Sequence, residues 1–355
     1  MDQNTAAHGF RVERAAAWLI VLAIVVFCLV YFSNFLQPIV IAGMIWYAVY
    51  ELKRLFGKVS IKNRRLPNWL LTILAFVIIF LVTIGIYEIV VINLNLIIEK
   101  SPQYIANFRA MIANLKTLEG FEVIQERMLT VVSSFNIQPV LTALLNSLTN
   151  IAGNIFIIII YVAFLLVEEK FFDKKLKLWI KNPVRLENIT TIIDQVATAT
   201  RKYVSIKTQM SLLTGLLSYF ILLVFDVDFP VWWAFLIFLL NYIPYIGSFF
   251  ATLLPAAFAM FQFQSFWIFL WVFLAIQVVQ LLVGNVLEPK VMGRTLNLSP
   301  LGVLLALTFW GIIWGVLGMI LSVPITSVIV ITCARFEQTK FIAIWLSETG
   351  EVELT

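Results

Sequence analysis

The residues with the most chemical interest lie where helix-breaking residues interrupt long uncharged stretches. Residues 229–287 and 295–334 contain no charged side chain, and each stretch is interrupted centrally, by NYIPYIGS at 241–248 and by FWGIIWG at 309–315. Backbone N–H and C=O groups freed by such breaks at membrane depth need partners in the protein or in a water-filled cavity. The two breaks therefore indicate where a binding site would lie.

Proline, glycine and short polar residues give these breaks their chemistry. Pro244 lacks a backbone donor, and Gly247 allows a ligand or another backbone to approach closely. A purely structural explanation is available, because Gly311 and Gly315 form a small-xxx-small pattern that packs helices tightly. The matching positions of the two breaks favour function, and the predicted substrate-binding residues are Asn241, Tyr242, Pro244, Gly247, Ser248, Thr308, Gly311 and Gly315.

One acidic residue stands at the end of an apolar segment, in GNVLEPKVMGR. This residue, Glu288, has Asn285 and Pro289 as close neighbours. An acid at the end of a span is usually solvated or ion-paired, but it can also bind a proton or cation in a transport path. Glu288 and Asn285 are therefore the predicted candidates for ion or proton coupling.

Signatures of catalysis are missing from the sequence. No GxxxxGK[ST] loop is present, and the single histidine, His8, cannot form an HExxH motif or a credible serine–histidine dyad. Cys28 and Cys333 lie in apolar runs, which predicts neither a disulfide nor a metal pair. We expect no enzyme activity, no catalytic residue, no metal and no cofactor.

The composition requires a membrane. Hydrophobic residues make up 61% of the chain and charged residues only 13%, whereas soluble domains are about 45–50% apolar and about 25% charged. The net charge of +5 comes from basic loops between apolar runs, which membrane topology explains better than nucleic-acid binding. The predicted fold is an all-α integral membrane protein with about eight membrane segments.

The distribution of basic loops predicts the topology and the organisation of the chain. The loop rich in lysine and arginine at 53–65 is placed in the cytoplasm, which puts the N-terminus there too. The polar run Ser33–Pro38 is expected to separate the first two spans, and Ser101-Pro102 to begin a new helix. The predicted regions are an N-terminal tail with spans 1–3 (1–98), an extracytoplasmic helical cap (99–150), span 4 (151–167), a cytoplasmic amphipathic helical segment (168–207), a transport core (208–334) and a cytoplasmic C-terminal tail (335–355).

The transport core contains an internal repeat. A span at 208–225 precedes a broken unit from Pro230 to Pro255, and a span at 266–287 precedes a similar unit from Pro300 to Pro324. Each unit is either one bent, overlong span or a re-entrant hairpin of two half-helices. The repeat favours two hairpins that enter from opposite sides, an inverted-topology repeat, with Lys290 and Arg294 in the cytoplasm.

Three long motifs carry a resemblance to a known family. At NYIPYIGSFFATLLP (241–255), GNVLEPKVMGRTLNLSPL (284–301) and FWGIIWGVLGMILSVP (309–324) the sequence resembles the bacterial autoinducer-2 exporter family, and the layout agrees over residues 15–345. The resemblance implies a bacterial inner-membrane protein with eight transmembrane segments that forms homo-oligomers, expected to be pentamers. It also implies export of the quorum-sensing signal autoinducer-2 or, as in some members, sodium/proton antiport. Val49-Tyr50-Glu51 departs from the Asn-Pro pair that often ends the second span in this family.

The leading hypothesis is therefore a secondary, non-ATP transporter that exports a small polar metabolite, with autoinducer-2 as a candidate. The alternative is a monovalent cation (sodium)/proton antiporter, which needs a titrating carboxylate in the transport path. A membrane scaffold built on residues 99–150 and 168–207 is a third possibility. The expected partners are a small-molecule or ion substrate, the lipid bilayer and further copies of the chain, without nucleic acid.

Overall fold

The computed structural model describes residue 17 and residues 19–57, 60–61, 64–65, 67–114, 137–293 and 297–350. The described chain is almost entirely helical, apart from a two-residue antiparallel pairing of β1 (Ser60–Ile61) with β2 (Arg64–Arg65). Six of the described helices are long and apolar enough to cross a membrane, which confirms the helical membrane class: Ser33–Phe56, Asn68–Met111, Pro183–Val224, Ile246–Phe263, Phe266–Met292 and Pro300–Ala334.

The first apolar run forms two helices, α1 (Leu19–Tyr31) and α2 (Ser33–Phe56), which are separated by a turn at Phe32. The break lies just before the predicted Ser33–Pro38 stretch, because α2 begins at Ser33 and contains Pro38. Pro38 is the sixth residue of α2, so its missing N–H leaves the Asn34 carbonyl without its helical donor, and the helix continues despite this single loss.

Helix α3 (Asn68–Asn114) runs through the position where a new helix was expected. Pro102 has no N–H to donate to the carbonyl of Ile98, four residues earlier in the helix. The hydroxyl of Ser101 donates to that same carbonyl at 2.8 Å and replaces the missing donor. Ser101 and Pro102 therefore lie inside one long helix, and the prediction of a helix start there was wrong.

Two long helices, α4 (Ile137–Trp179) and α5 (Pro183–Val224), follow. The side chain of Asn182 caps α5, because its oxygen accepts hydrogen bonds from the backbone N–H groups of Val184 and Arg185. The sequence analysis predicted a boundary between a surface helix and a span near residue 208, whereas α5 is continuous across that point. One rigid helix therefore connects the basic segment with the apolar core.

The chain then folds back on itself in a unit that we call hairpin A, residues 230–263. It consists of α6 (Pro230–Leu240), a turn at 241–245 and α7 (Ile246–Phe263). Its entry and exit lie together, since the Gln262 side chain accepts from the Asp228 N–H and donates to the Asp226 carbonyl, both at 2.8 Å. The reversal occurs where Tyr245 has a φ of 58°.

The next segment combines α8 (Phe266–Gln280), a π-helical turn (Leu281–Leu287) and α9 (Glu288–Met292). Pro289 lacks a backbone donor, so the carbonyl of Asn285 loses its α-helical partner close to the π-helical turn. Single π-helical turns inside α-helices are often found at functional sites.

A second reversal, hairpin B, lies within α10 (Pro300–Ala334). A straight helix of this length would span about 50 Å. Instead, Leu298 at its entry packs with Val330 and Ala334 near its exit. The chain reverses at Gly315, whose φ of 62° and ψ of −140° interrupt the helix. A short helix, α11 (Lys340–Leu346), closes the base, where the Leu346 carbonyl accepts from the Ser299 N–H.

The two hairpin bases lie beside opposite halves of α5. The base of hairpin A continues directly from the C-terminal end of α5 at Val224. The base of hairpin B is linked to the N-terminal half of α5 by a hydrogen bond from Arg335 to Gln195 at 2.6 Å. The main apolar core packs hairpin A against α3, α5 and α8, through buried side chains that include Leu94, Leu222, Ile237 and Ile276.

Candidate functional site

A cavity of about 770 Å³ lies between α5, the turn of hairpin A and the α8–α9 segment. It extends to the base of hairpin B, where Leu298 and Val303 line it together with Glu348 and Thr349 of the C-terminal segment. Polar side chains of three separate elements meet in it, although the helices that supply them are apolar along most of their length. Such a volume falls in the range of small-molecule sites, about 300–1,000 Å³.

One face of α5 supplies the first wall. Tyr203, Lys207, Ser211 and Thr214 line the cavity, and their spacing of three and four residues places them on one side of the helix. Thr208 and Thr214 each donate a side-chain hydrogen bond to the carbonyl four residues earlier, at 2.7 and 2.9 Å. The helix itself therefore satisfies both threonine hydroxyls.

The turn of hairpin A supplies the second wall, through Asn241, Pro244, Tyr245 and Ser248. The turn needs a glycine at 247, because a Cβ there would overlap the carbonyl oxygen of Leu240 on the preceding half-helix. The hydroxyls of Tyr242 and Thr208 form a hydrogen bond of 2.8 Å that ties the turn to α5. Gly247 and Tyr242 thus shape and anchor the turn, while their predicted neighbours Asn241, Pro244 and Ser248 line the cavity.

The third wall consists of Gln277, Gln280, Gly284, Asn285 and Glu288. These residues follow one face of α8 and continue through the π-helical turn, which keeps Asn285 and Glu288 on the cavity side. Both predicted coupling residues therefore line the same cavity as Asn241, Pro244 and Ser248 of hairpin A.

Glu288 forms an ion pair with Lys207 inside the cavity. The Lys207 ammonium lies 2.7 Å from one carboxylate oxygen of Glu288 and 3.0 Å from the other. The side chains are only 12% and 19% exposed, so little water screens the pair. Sequence reasoning missed Lys207, although it is the last charged residue of α5 before an uncharged run.

The predicted residues of hairpin B have different surroundings. Thr308 donates to the Leu304 carbonyl of its own helix, and Gly311 packs against the side chain of Met319. Near the turn at Gly315, the Trp314 indole donates to the Leu29 carbonyl of α1 at 3.1 Å. Of the described residues that line the cavity, none is Thr308, Gly311 or Gly315. Their role in binding remains a prediction, and the two hairpin turns occupy separate places.

Sequence reasoning also missed the closest counterpart of Gly247 in hairpin B. A Cβ on Gly318 would overlap the carbonyl oxygen of Trp310, as a Cβ on Gly247 would overlap that of Leu240. Gly318 therefore allows the two halves of hairpin B to meet, while Gly315 supplies the left-handed backbone of the turn. The repeated Pro–break–Pro pattern did not single out Gly318, because it stands six residues before Pro324 whereas Gly247 stands eight before Pro255.

Metal binding has no support in the part of the chain that the structure describes, where no three His, Cys, Asp or Glu side chains are grouped to hold an ion. The free thiols of Cys28 and Cys333 lie half-buried in separate helices. The arrangement can bind a small solute through hydrogen bonds and one ion pair.

A helical membrane protein with a polar cavity between broken helices has the architecture of a membrane transporter. The chain belongs to the AI-2E transporter family, whose model, described as "AI-2E family transporter", matches residues 19–338. This family consists of transporters rather than enzymes, in agreement with the sequence-based expectation.

Relatives in three bacteria support this assignment. The chain is 34% identical to the AI-2 transport protein TqsA of Escherichia coli K12 over 262 residues, which cover 73% of this chain and 75% of TqsA. It is 27% identical to a Borreliella burgdorferi protein over 98% of this chain and 94% of the relative. A Haemophilus influenzae protein is 32% identical over 83% of this chain and 85% of the relative. The latter two are provisionally named transport proteins.

Proposed function

We propose that this chain is a secondary transporter that exports a small polar metabolite through the cavity between α5, hairpin A and the α8–α9 segment. The observation that carries the proposal is the cavity, in which Lys207 of α5, Asn241 of hairpin A and Gln277 of α8 present polar groups from three elements. Autoinducer-2 is the proposed solute, because the relative TqsA is named for its transport and shares 34% identity with this chain.

The proposed arrangement in the membrane is an inverted repeat of two re-entrant hairpins, within about eight membrane segments. Supporting it, the base of hairpin A follows the C-terminal end of α5, and the base of hairpin B contacts the N-terminal half of that helix. The excess of lysine and arginine in the loops orients the chain with both termini in the cytoplasm of a bacterium, in the inner membrane. The base of hairpin B is then cytoplasmic, and the cavity opens towards that side.

This orientation suggests how transport proceeds. Solute enters the cavity from the cytoplasm, past the base of hairpin B and the C-terminal residues Glu348 and Thr349. The turn of hairpin A closes the outer end, where Tyr242 is bonded to Thr208. Release outside then requires hairpin A to move relative to α5, which is the rocking expected of inverted-repeat transporters.

A monovalent cation (sodium)/proton antiporter is the second candidate, because the cavity contains the carboxylate of Glu288. An antiporter of this kind needs the Glu288 carboxylate to exchange Lys207 for a proton or a sodium ion during the cycle. Removal of the Glu288 carboxylate therefore distinguishes the two functions. An antiporter would lose ion exchange, whereas a metabolite exporter would keep most of its export.

The proposed partners include further copies of the chain. Helices α1 and α3 present many exposed apolar side chains, which lipid or a neighbouring copy would cover. A homo-oligomer, with the pentamer as the expected state, is tested by native mass spectrometry of the protein extracted in detergent.

The deciding experiment is flux in proteoliposomes. The purified chain is reconstituted, and efflux of autoinducer-2 is measured beside sodium and proton exchange, with empty liposomes as the control. Wild-type protein is expected to move autoinducer-2, and Glu288→Gln to alter this flux only modestly. Sodium-dependent proton movement that Glu288→Gln abolishes, without autoinducer-2 flux, would establish the antiporter instead.

A further inference from the structure

Two buried polar atoms on the cavity walls have no hydrogen-bond partner in the structure. The hydroxyl of Ser211 on α5 and the side-chain nitrogen of Gln280 on α8 are both unpaired. Ser211 is 1% exposed and Gln280 6% exposed, and both line the cavity. Leaving a buried donor unpaired is unfavourable, so a solute oxygen that pairs with either atom would be bound more tightly.

Ser211 differs from the neighbouring hydroxyl residues of α5 in its hydrogen bonding. The neighbouring hydroxyls of Thr208 and Thr214 bond to the carbonyl one turn earlier in α5. Ser211 lies between them, lines the cavity and makes no such bond, and its covered oxygen must turn towards the cavity to reach a solute. Gln280 lies at the start of the π-helical turn, where the α-helical pattern of α8 ends.

The charges of the cavity narrow the chemistry of its occupant. Among the described residues that line it, Lys207 is the basic side chain, and its ammonium contacts both carboxylate oxygens of Glu288. A second carboxylate, that of Glu348, lies at the base of hairpin B. Ser211 lies about 6 Å from Lys207 along α5, one helical turn further into the protein. The unpaired groups offer a hydroxyl and an amide N–H, which can donate to oxygens of a solute. Because the ammonium of Lys207 is already paired with Glu288, the described residues of the cavity offer no free cation to an anion.

We propose that Ser211 and Gln280 form a binding subsite for an uncharged solute that carries hydroxyl or carbonyl oxygens. The Gln280 amide donates to an oxygen of the solute, and the Ser211 hydroxyl donates to or accepts from a second oxygen. The Lys207–Glu288 pair remains closed during binding and forms the cytoplasmic side of the subsite. This inference rests on the proposed transport function and deepens it by naming the residues and the class of solute.

The chain supplies matched controls for both positions. Ser218 is on the same helix, is 0% exposed and is also unpaired, yet it is not among the described residues that line the cavity. Gln209 is an exposed glutamine on α5 whose amide bonds to Ser205. Ser218→Ala and Gln209→Leu therefore repeat the chemical changes of Ser211→Ala and Gln280→Leu away from the cavity.

The experiment measures concentration-dependent flux in proteoliposomes for autoinducer-2, for the neutral polyols glycerol, erythritol and xylitol, and for lactate and sodium as charged probes. Ser211→Ala and Gln280→Leu are each expected to raise the half-saturation concentration of a neutral solute roughly three- to tenfold, the usual loss for one hydrogen bond. Ser211→Thr, which keeps the hydroxyl, should retain wild-type saturation. All variants should keep the elution volume of the wild-type protein in detergent, and none should melt at a lower temperature than the wild-type protein.

Each result has a distinct meaning. Two results would overturn the subsite alone, provided that the wild-type protein moves neutral solutes. Either the half-saturation concentration is unchanged in Ser211→Ala and Gln280→Leu, or it changes equally in Ser218→Ala and Gln209→Leu. Flux of lactate or sodium without neutral solutes would overturn the proposed class of solute. Absence of flux for every probe in the wild-type protein would overturn the transport function and the subsite with it.

Discussion

Lys207 and Glu288 stand 81 residues apart in the chain, yet the ammonium of Lys207 contacts both carboxylate oxygens of Glu288 at 2.7 and 3.0 Å. The pair joins α5 to the segment that follows the π-helical turn, and it lies at the wall of the cavity. Because both side chains are largely buried, each charge depends on the other for its stability.

Removing one partner of this pair should destabilise the protein more than removing both. Glu288→Gln or Lys207→Met alone leaves a buried charge or polar group uncompensated, which should lower stability by about 1–3 kcal/mol. The double variant should recover most of that loss, which melting in detergent would measure as a double-mutant cycle. Additive effects of the two single variants would show that the pair contributes no coupling.

The turn glycines should differ in their tolerance of a side chain. Gly247→Ala and Gly318→Ala place a Cβ against a backbone carbonyl that cannot rotate away, so each should destabilise its hairpin by about 1–3 kcal/mol or more. Gly247→Leu should abolish transport. We measure melting temperature in detergent together with flux.

Gly315→Ala tests a different cause, because a Cβ there meets open space but the backbone has a φ of 62°. Backbone strain alone should cost about 1–3 kcal/mol. Gly43→Ala in α2, where a Cβ meets nothing within 4 Å, is the control and should be neutral or slightly stabilising. Equal tolerance at all four glycines would show that the reversals do not depend on these residues.

A third prediction concerns pH and the base of hairpin A. The carboxylate of Asp228 accepts hydrogen bonds from the Tyr104 hydroxyl at 2.6 Å and from Lys100 at 2.9 Å. Partial burial raises the pKa of Asp228, but the two hydrogen bonds and the charge of Lys100 outweigh it and hold the pKa below 3.8. The stabilisation is therefore complete above the unfolded pKa and is lost as pH falls through the lowered folded pKa.

Comparison of wild-type protein with Asp228→Asn tests this sign. Melting in detergent from neutral pH down to about pH 3 should show a constant gap near neutrality that shrinks below about pH 4. The gap should be about 1 kcal/mol, because the carboxylate is partly exposed and solvent screens it. A gap that does not change with pH would assign the effect to the lost hydrogen-bond geometry instead.

The fourth prediction concerns topology. In a background with Cys28 and Cys333 replaced by alanine, single cysteines at Lys290 and Arg294 should react only with reagent supplied from the cytoplasmic side. A cysteine at Asp226, at the base of hairpin A, should react only from outside. Arg294 lies outside the described residues, whereas Lys290 lies in α9. Labelling of Lys290→Cys by an impermeant reagent from outside would contradict the inverted arrangement.

The sequence by itself determined the class of protein and the positions of its breaks. Long uncharged runs can be stable only in lipid, and glycine and proline at Pro244, Gly247 and Gly315 mark where backbone geometry departs from a helix. Hairpin A reverses at the predicted turn, and hairpin B reverses at Gly315. These features depend on local chemistry, which neighbouring residues specify.

Helix boundaries were harder to predict, because the same short motif can begin a helix in one protein and lie inside a helix in another. Ser101-Pro102 is typical of a helix start, yet the Ser101 hydroxyl replaces the donor that Pro102 lacks and the helix continues. Whether a proline ends a helix depends on such compensation and on packing along the whole element, which a short motif does not contain.

Only the tertiary structure decided which side chains share a site. It brought Lys207 to Glu288, placed Ser211 and Gln280 on the walls of one cavity, and packed the turn of hairpin B near α1 instead of against hairpin A. The physical reason is that periodicity shows which residues share a helix face, whereas the partner of that face depends on how whole helices pack.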